Sequence, residues 1–240
     1  MSNGQIKLRA LVIGASGGIG SALVKRLQND SRYASVIALS RSTEPAINYR
    51  DEASIASAAH QLQSLAPFDL IFCATGILYL EQVHSEPACS AFMPEKKLSQ
   101  LNYAQLQETF LINTFGPALV LSHFSKLLNP AGAAFALLSA KVGSIEDNRL
   151  GGWYSYRASK AALNMLIKTS SIELKRTQPN TVLVALHPGT VNTSLSRPFK
   201  GQEIGRPPDD VAADLLQVIA GLTPERSGGF ITYAAERLPW

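Results

Sequence analysis

The sequence predicts an α/β protein: one doubly wound parallel sheet with helices on both faces, spanning residues 1–240 as a single domain. Three observations carry this reading. Short apolar runs alternate with helix-length segments from one end of the chain to the other. Those runs are continuously apolar, as strands buried on both faces require. No repeat period or compositional break divides the chain, and 240 residues suffice to bury one substantial core.

Taken in order, Leu8 to Ile13 forms the first apolar run. It ends in glycines, and Ile19, Leu23, Val24 and Leu27 then recur at helical spacing, giving strand, tight turn and helix. Apolar strands follow near 35–39, 69–73, 133–138 and 181–186, separated by helices near 51–65, 103–128 and 154–176. A helix near 208–221 precedes Gly228-Gly229-Phe230-Ile231-Thr232-Tyr233, which reads as a final strand. Two stretches break the rhythm, 77–100 and 190–208, each rich in Pro, Ser, Glu or Gly and each following an apolar strand. Segments leaving the carboxyl ends of strands surround the ligand crevice of an open α/β sheet, so both are expected to be substrate loops.

Composition narrows the classes. With 46% hydrophobic and 17% charged residues, the chain is expected to be globular rather than disordered. No apolar run reaches the roughly 18 residues that span a bilayer, and no secretory signal pattern opens the sequence, so a cytoplasmic location away from membranes is expected. Cys73 and Cys89 read as free thiols, and His60, His84, His123 and His187 lack ligand spacing, which argues against a metal. The net charge of +4 is dispersed, which fits an anionic small ligand and not nucleic acid.

Gly14-Ala15-Ser16-Gly17-Gly18-Ile19-Gly20 lies where the first strand hands over to the first helix. Glycines there let the backbone turn sharply and approach a pyrophosphate, and the N–H groups and dipole of the helix start favour negative charge. Gly14, Gly18 and Gly20 are spaced G-x-x-x-G-x-G, and this spacing resembles the short-chain dehydrogenase/reductase family. The resemblance continues through motifs along nearly the whole chain. It implies a Rossmann-like fold and a nicotinamide dinucleotide held by Gly14, Ser16, Gly17, Gly18, Ile19 and Gly20.

At the end of the second strand, members that prefer NAD carry an acid, whereas this chain has Leu39-Ser40-Arg41-Ser42. Ser40 and Arg41 can donate to a 2′-phosphate, so NADP(H) is expected. The resemblance places an adenine contact after a third strand at Asn48, while Asp51 reads as the cap of the following helix. The family's N-N-A-G stretch corresponds to Cys73-Ala74-Thr75-Gly76, where Ala74 and Gly76 offer backbone to the cofactor.

Tyr156-Arg157-Ala158-Ser159-Lys160 places a phenol and an ammonium at i and i+4, on one helix face. Bringing a tyrosine from about pH 10 to neutrality takes roughly 4 kcal/mol, about what one positive charge 4 Å away supplies at an effective dielectric near 20. The cluster matches the family's Tyr-x-x-x-Lys, which implies Tyr156 as general acid/base and Lys160 in both catalysis and ribose binding. The family's substrate-binding serine is expected at Ser139. Counting back from Gly143 puts Ala140 at that position, and Ser144 is a nearby alternative. A buried Asn113 implies, by the resemblance, a contact to backbone and a water leading to the lysine. His187-Pro188-Gly189-Thr190-Val191-Asn192-Thr193 resembles the Pro-Gly motif, in which Pro188, Gly189, Val191 and Thr193 meet the nicotinamide.

Within the family, the Gly-Gly-Trp-Tyr-Ser-Tyr-Arg-Ala-Ser-Lys run looks like the C-factor and sniffer-type carbonyl reductases. The expected function is therefore NADPH-dependent reduction of a small aldehyde or ketone, or the reverse oxidation of an alcohol. The alternative is an NADP(H)-binding signalling or redox-sensing protein with little catalysis. A sugar-nucleotide epimerase needs a larger C-terminal substrate region than the stretch that follows the Pro-Gly motif. Helices 103–128 and 154–176 pair subunits in many relatives, which implies a homodimer or homotetramer.

Overall fold

The computed structural model describes residues 7–80 and 91–240. Strands β1 (Leu8–Ile13), β2 (Tyr33–Leu39), β3 (Leu70–Cys73), β4 (Ala133–Leu138), β5 (Thr181–His187) and β6 (Gly229–Thr232) form one sheet in the order β2-β1-β3-β4-β5-β6. Every adjacent pair is parallel. The helices are α1 (Gly18–Gln28), α2 (Glu52–Gln61), α3 (Tyr103–Phe110), α4 (Gly116–Phe124), α5 (Tyr154–Thr177), α6 (Gly201–Ile204) and α7 (Pro208–Ala220). This is the doubly wound arrangement that the sequence predicts.

Side chains alternate between two cores, as the period of two in a strand dictates. Leu11, Ile13, Ile71, Cys73, Phe135, Leu137, Leu183 and Ala185 join one buried cluster with residues of α2, α4 and α5. Their neighbours Ala10, Val12, Leu70, Phe72, Ala136, Val184 and Leu186 join the other, with residues of α1 and α7. Both faces are dry, so the continuously apolar strands are explained. The chain leaves β1 toward β2 on one side and returns with β3 on the other, so the strand order reverses beside β1. A crevice opens at the carboxyl ends there.

Three expectations need correction. The helix expected over 103–128 is broken: Leu111–Phe115 winds as a π turn between α3 and α4, with Gly116 N–H donating to the Leu111 carbonyl. Pro117 has no N–H for the Asn113 carbonyl, so the regular ladder cannot run through this point. The helix expected to 65 tightens into a 3₁₀ turn at Leu62–Leu65. The third strand lies after Asn48, not before it; residues 40–51 are irregular, and Asp51 caps α2 by accepting from Ala53 N–H at 3.0 Å. Of the expected substrate loops, 81–90, including Cys89, lie outside the described residues. The loop at 190–208 contains a 3₁₀ turn, Ser194–Phe199, and the short α6.

Candidate active site

The turn between β1 and α1 is tied to the end of β2, since Gly14 and Ala15 N–H both donate to the Leu39 carbonyl at 2.9 and 3.0 Å. Gly14 has φ +82, a left-handed conformation in which a Cβ would meet Thr75 Cγ2 at 2.8 Å. Gly17 caps α1 without a side chain, so the first N–H groups of the helix are left for a ligand.

Two cavities meet at this turn. One, of about 580 Å³, runs from Gly14, Ser16 and Gly17 to Ser40, Arg41 and Asn48. The other, of about 490 Å³, runs from Gly17, Gly18 and Ile19 to Tyr156, Lys160, Pro188, Gly189, Val191 and Thr193. They share Gly17, Ala74, Thr75 and Gly76 as common wall. The crevice is thus continuous from the end of β2 to α5.

Of the residues expected to bind a dinucleotide, Gly20 alone is off this wall. A Cβ at Gly20 would overlap the Gly14 carbonyl, so its place is in the packing of helix start against strand end. Sequence reasoning missed Tyr49, Arg50 and Thr75, which also line the first cavity. Tyr49 Oη lies 3.0 Å from Thr75 Oγ1, and Arg50 pairs with Glu108 at 2.5 Å. Nothing in their local pattern marks them, because they reach the crevice from an irregular segment. Asn48 is there too, exposed, with its Oδ1 accepting from Arg50 N–H at 3.1 Å. Arg41 is exposed and makes no ion pair among the described residues, while the Ser40 hydroxyl accepts from Ser42 N–H at 3.1 Å.

At the other end, Tyr156, Lys160 and Asn164 are buried at successive turns of α5. Lys160 Nζ donates to the Leu138 carbonyl at 2.9 Å and lies 6.0 Å from the Tyr156 ring centroid. Burial brings the Lys160 ammonium down to about 8, weakly opposed by Cys73. Burial also pushes the Tyr156 phenol well above its ordinary range. The expected lowering of the phenol is therefore not seen in the protein alone. Tyr156 is a protonated group at neutral pH.

Asn113 is fully buried in the π turn. Its Oδ1 accepts from Ile77 N–H and its Nδ2 donates to the Ile77 carbonyl, each at 2.8 Å, with a further bond to Ser159 Oγ at 3.1 Å. It bridges the Ile77 N–H and carbonyl and sets the path of the chain leaving β3. A Cβ at Gly76 would stand 3.3 Å from Lys160 Nζ and 3.4 Å from Asn113 Oδ1, so the lysine and this amide border one point of the wall.

The serine assignment meets a different geometry. Ser139 borders the cavity, but its hydroxyl donates to Asn164 Oδ1 at 2.6 Å, toward α5. Ser144 donates to the Trp240 carbonyl at 3.2 Å and accepts from Asp147 N–H at 3.1 Å, so it serves the C-terminus. Ala140 lines the cavity with no polar side chain. Opposite stands an aromatic wall: the Trp153 ring lies 5.2 Å from Phe199 and 6.2 Å from Tyr156. Trp153 adopts φ 53, a left-handed conformation uncommon for a bulky residue. Its N–H donates to the Glu95 carbonyl at 2.5 Å, and the buried Glu95 carboxylate accepts from Ser155 N–H at 3.2 Å and from the Ser155 hydroxyl.

Comparison with known proteins gives the family and the fold. Residues 8–203 match the family described as short chain dehydrogenase. The chain is 31% identical over 240 residues to the 1-hydroxy-2-glutathionyl-2-methyl-3-butene dehydrogenase of Rhodococcus sp. (strain AD45), covering 96% of this chain and 98% of that protein. It is 38% identical over 144 residues to the C-signal of Myxococcus xanthus, covering 60% of this chain and 83% of the relative. Among solved structures, the carbonyl reductase Sniffer of D. melanogaster superposes with a TM-score of 0.80 at 23% identity, over 98% of this chain and 100% of the other. The NADPH-bound carbonyl reductase from chicken fatty liver superposes with a TM-score of 0.76 at 24% identity, over the same shares.

Proposed function

The chain belongs to the short-chain dehydrogenase family, and from that premise we propose that this oxidoreductase reduces an aldehyde or ketone with an apolar body, using NADPH. The observation that carries the proposal is the continuous crevice with an exposed guanidinium, Arg41, at one end and Tyr156 and Lys160 at the other.

The walls suit NADPH. Ser40 and Arg41 hold its 2′-phosphate, and the uncapped start of α1 takes the pyrophosphate. Lys160 holds the ribose next to the nicotinamide, and Pro188, Gly189, Val191 and Thr193 contact that ring. Ala74 and Gly76 offer backbone along the way, with Asn48 beside the adenine. When bound, the cofactor supplies hydride to the carbonyl carbon. Tyr156, protonated at neutral pH, gives its proton to the carbonyl oxygen. Lys160, charged at neutral pH, stabilises the phenolate left behind. Asn113 holds the strand-exit backbone against this pair and positions them. Leu78, Val142, Trp153 and Phe199 exclude water and receive the apolar body of the substrate.

The test is a panel of aldehydes and ketones followed through NADPH absorbance. Turnover of apolar carbonyls supports the proposal; no turnover across the panel rejects it. A second reading, an NADP(H)-binding signalling protein, is favoured by the likeness to C-signal over 60% of this chain. Tight NADPH binding without reduction of any carbonyl would select it.

A further inference from the structure

We propose that His187 is a catalytic residue of this site: its Nε2–H holds the substrate carbonyl oxygen beside the Tyr156 hydroxyl. The inference rests on the carbonyl-reducing reading above and adds a role to it.

A carbonyl that accepts hydride develops negative charge on oxygen, and a second aligned donor beside the proton donor stabilises it. The three neighbouring positions from which a hydroxyl is expected do not offer one. Ser139 gives its proton to Asn164 at 2.6 Å, Ser144 is engaged with Trp240 and Asp147, and Ala140 has none to give. On the other side of the cavity, Thr193 packs on Gly18, and Thr190 and Ser194 are exposed. Lys141 is turned to Asp147 at 3.5 Å.

His187 ends β5 and lines the same cavity as Tyr156 and Lys160. Its Nδ1 accepts the Lys141 N–H at 3.2 Å. That bond fixes the tautomer, because an Nδ1 that accepts carries no proton and the hydrogen of the neutral ring then sits on Nε2. Nε2 has no hydrogen-bond partner among the described residues. Burial, helped by the charge of Lys141, brings the imidazole down to about 4, so the ring stays neutral. A neutral donor stabilises the oxyanion without competing with Tyr156 to deliver the proton. The reaction's balance is unchanged: hydride goes to carbon, the Tyr156 proton goes to oxygen, and His187 keeps its own.

The experiment compares His187→Ala, His187→Gln, Ser139→Ala and the double variant His187→Ala/Ala140→Ser, each with NADPH and the best aldehyde of the panel. His187→Ala is expected to lose roughly 100-fold in kcat, with NADPH affinity and melting temperature unchanged. Adding Ala140→Ser should restore about tenfold by returning a hydroxyl to the cavity. His187→Gln keeps an amide donor and should lose less than about tenfold in kcat, a larger loss overturning the proposal; should His187→Ala destabilise the fold, His187→Phe, which fills the space without a donor, takes its place. A kcat within about twofold of wild type in His187→Ala, or an equal loss in Ser139→Ala, overturns the proposal. A second readout needs no turnover: in ¹⁵N NMR, the His187 Nε2–H resonance should exist at neutral pH and move when benzamide, an unreactive carbonyl, is added with NADP⁺. An Nδ1–H tautomer or an unmoved resonance rejects the inference. Failure of the carbonyl panel with a moving resonance rejects only the reductase reading.

Discussion

Lys160 directs its ammonium at the carbonyl of Leu138, 2.9 Å away across the α5–β4 interface, rather than at the phenol one turn before it on the same helix. This buried cation is destabilising, and its cost depends on pH. Its folded value of about 8 lies below the unfolded value of about 10.5, so between these two the unfolded chain binds more protons. Stability of the cofactor-free protein should therefore rise as pH goes from about 8 to about 10.5, and the cost should be fully present below 8.

Lys160→Met removes about 3 kcal/mol of that cost and orphans the Leu138 carbonyl for about 1 kcal/mol, a net gain of about 2 at pH 7. Urea denaturation of both proteins at pH 7 and pH 10.5 checks it. The variant should be more stable at the lower pH, and the gap should close at the higher; parallel behaviour would remove the buried cation from the account.

Tyr156→Phe deletes the proton donor and keeps the ring against Trp153. Turnover should fall by roughly 10²–10⁴-fold while NADPH still binds. Steady-state kinetics beside fluorescence titration of the cofactor separates the two, and retained turnover would place the proton source elsewhere.

Arg41 is exposed at the far end of the crevice. The wild type should prefer NADPH to NADH in kcat/KM, and Arg41→Ala should cut that preference about tenfold by raising the KM for NADPH alone. An equal loss with both cofactors would make Arg41 a general surface charge.

Two glycines of the same turn should behave differently. A Cβ at Gly17 would meet only the Gly14 carbonyl oxygen, at 3.4 Å, an ordinary contact. Gly17→Ala should fold like wild type and lose cofactor affinity, because the new methyl enters the crevice. Gly20→Ala overlaps backbone and should destabilise the fold by about 1–3 kcal/mol. Chemical denaturation and NADPH titration of both variants tell these effects apart.

Phe115, Met165 and Ile172 are each more than half exposed on the π turn and α5. Met165 and Ile172, seven residues apart, share one face of the helix. A second copy covering that apolar face would make the homo-oligomer that the family resemblance implies. Ile172→Glu should then shift the sedimentation profile toward monomer while leaving the melting of the monomer intact; an unchanged profile rules this face out.

Much of this was legible along the chain because it depends on neighbours in sequence. Strand faces follow from a period of two, the glycine turn from its place after Ile13, and the shared face of Tyr156 and Lys160 from a spacing of four. The break at Asn113 was legible in principle from Gly116-Pro117. The direction of Ser139 was not: its hydroxyl is claimed by Asn164, 25 residues away, and no local pattern encodes that bond.

The sequence by itself determined the layers, the crevice and the pair of groups on α5, since helix and strand periodicity act through local sterics. Only the tertiary structure decided what those groups experience. Lys160 is turned to Leu138, burial raises the phenol above its ordinary range, Ser139 is occupied and His187 accepts the Lys141 N–H at the cavity wall. Burial and hydrogen bonding set these properties. Both depend on distances between segments far apart in the chain, which folding alone brings together.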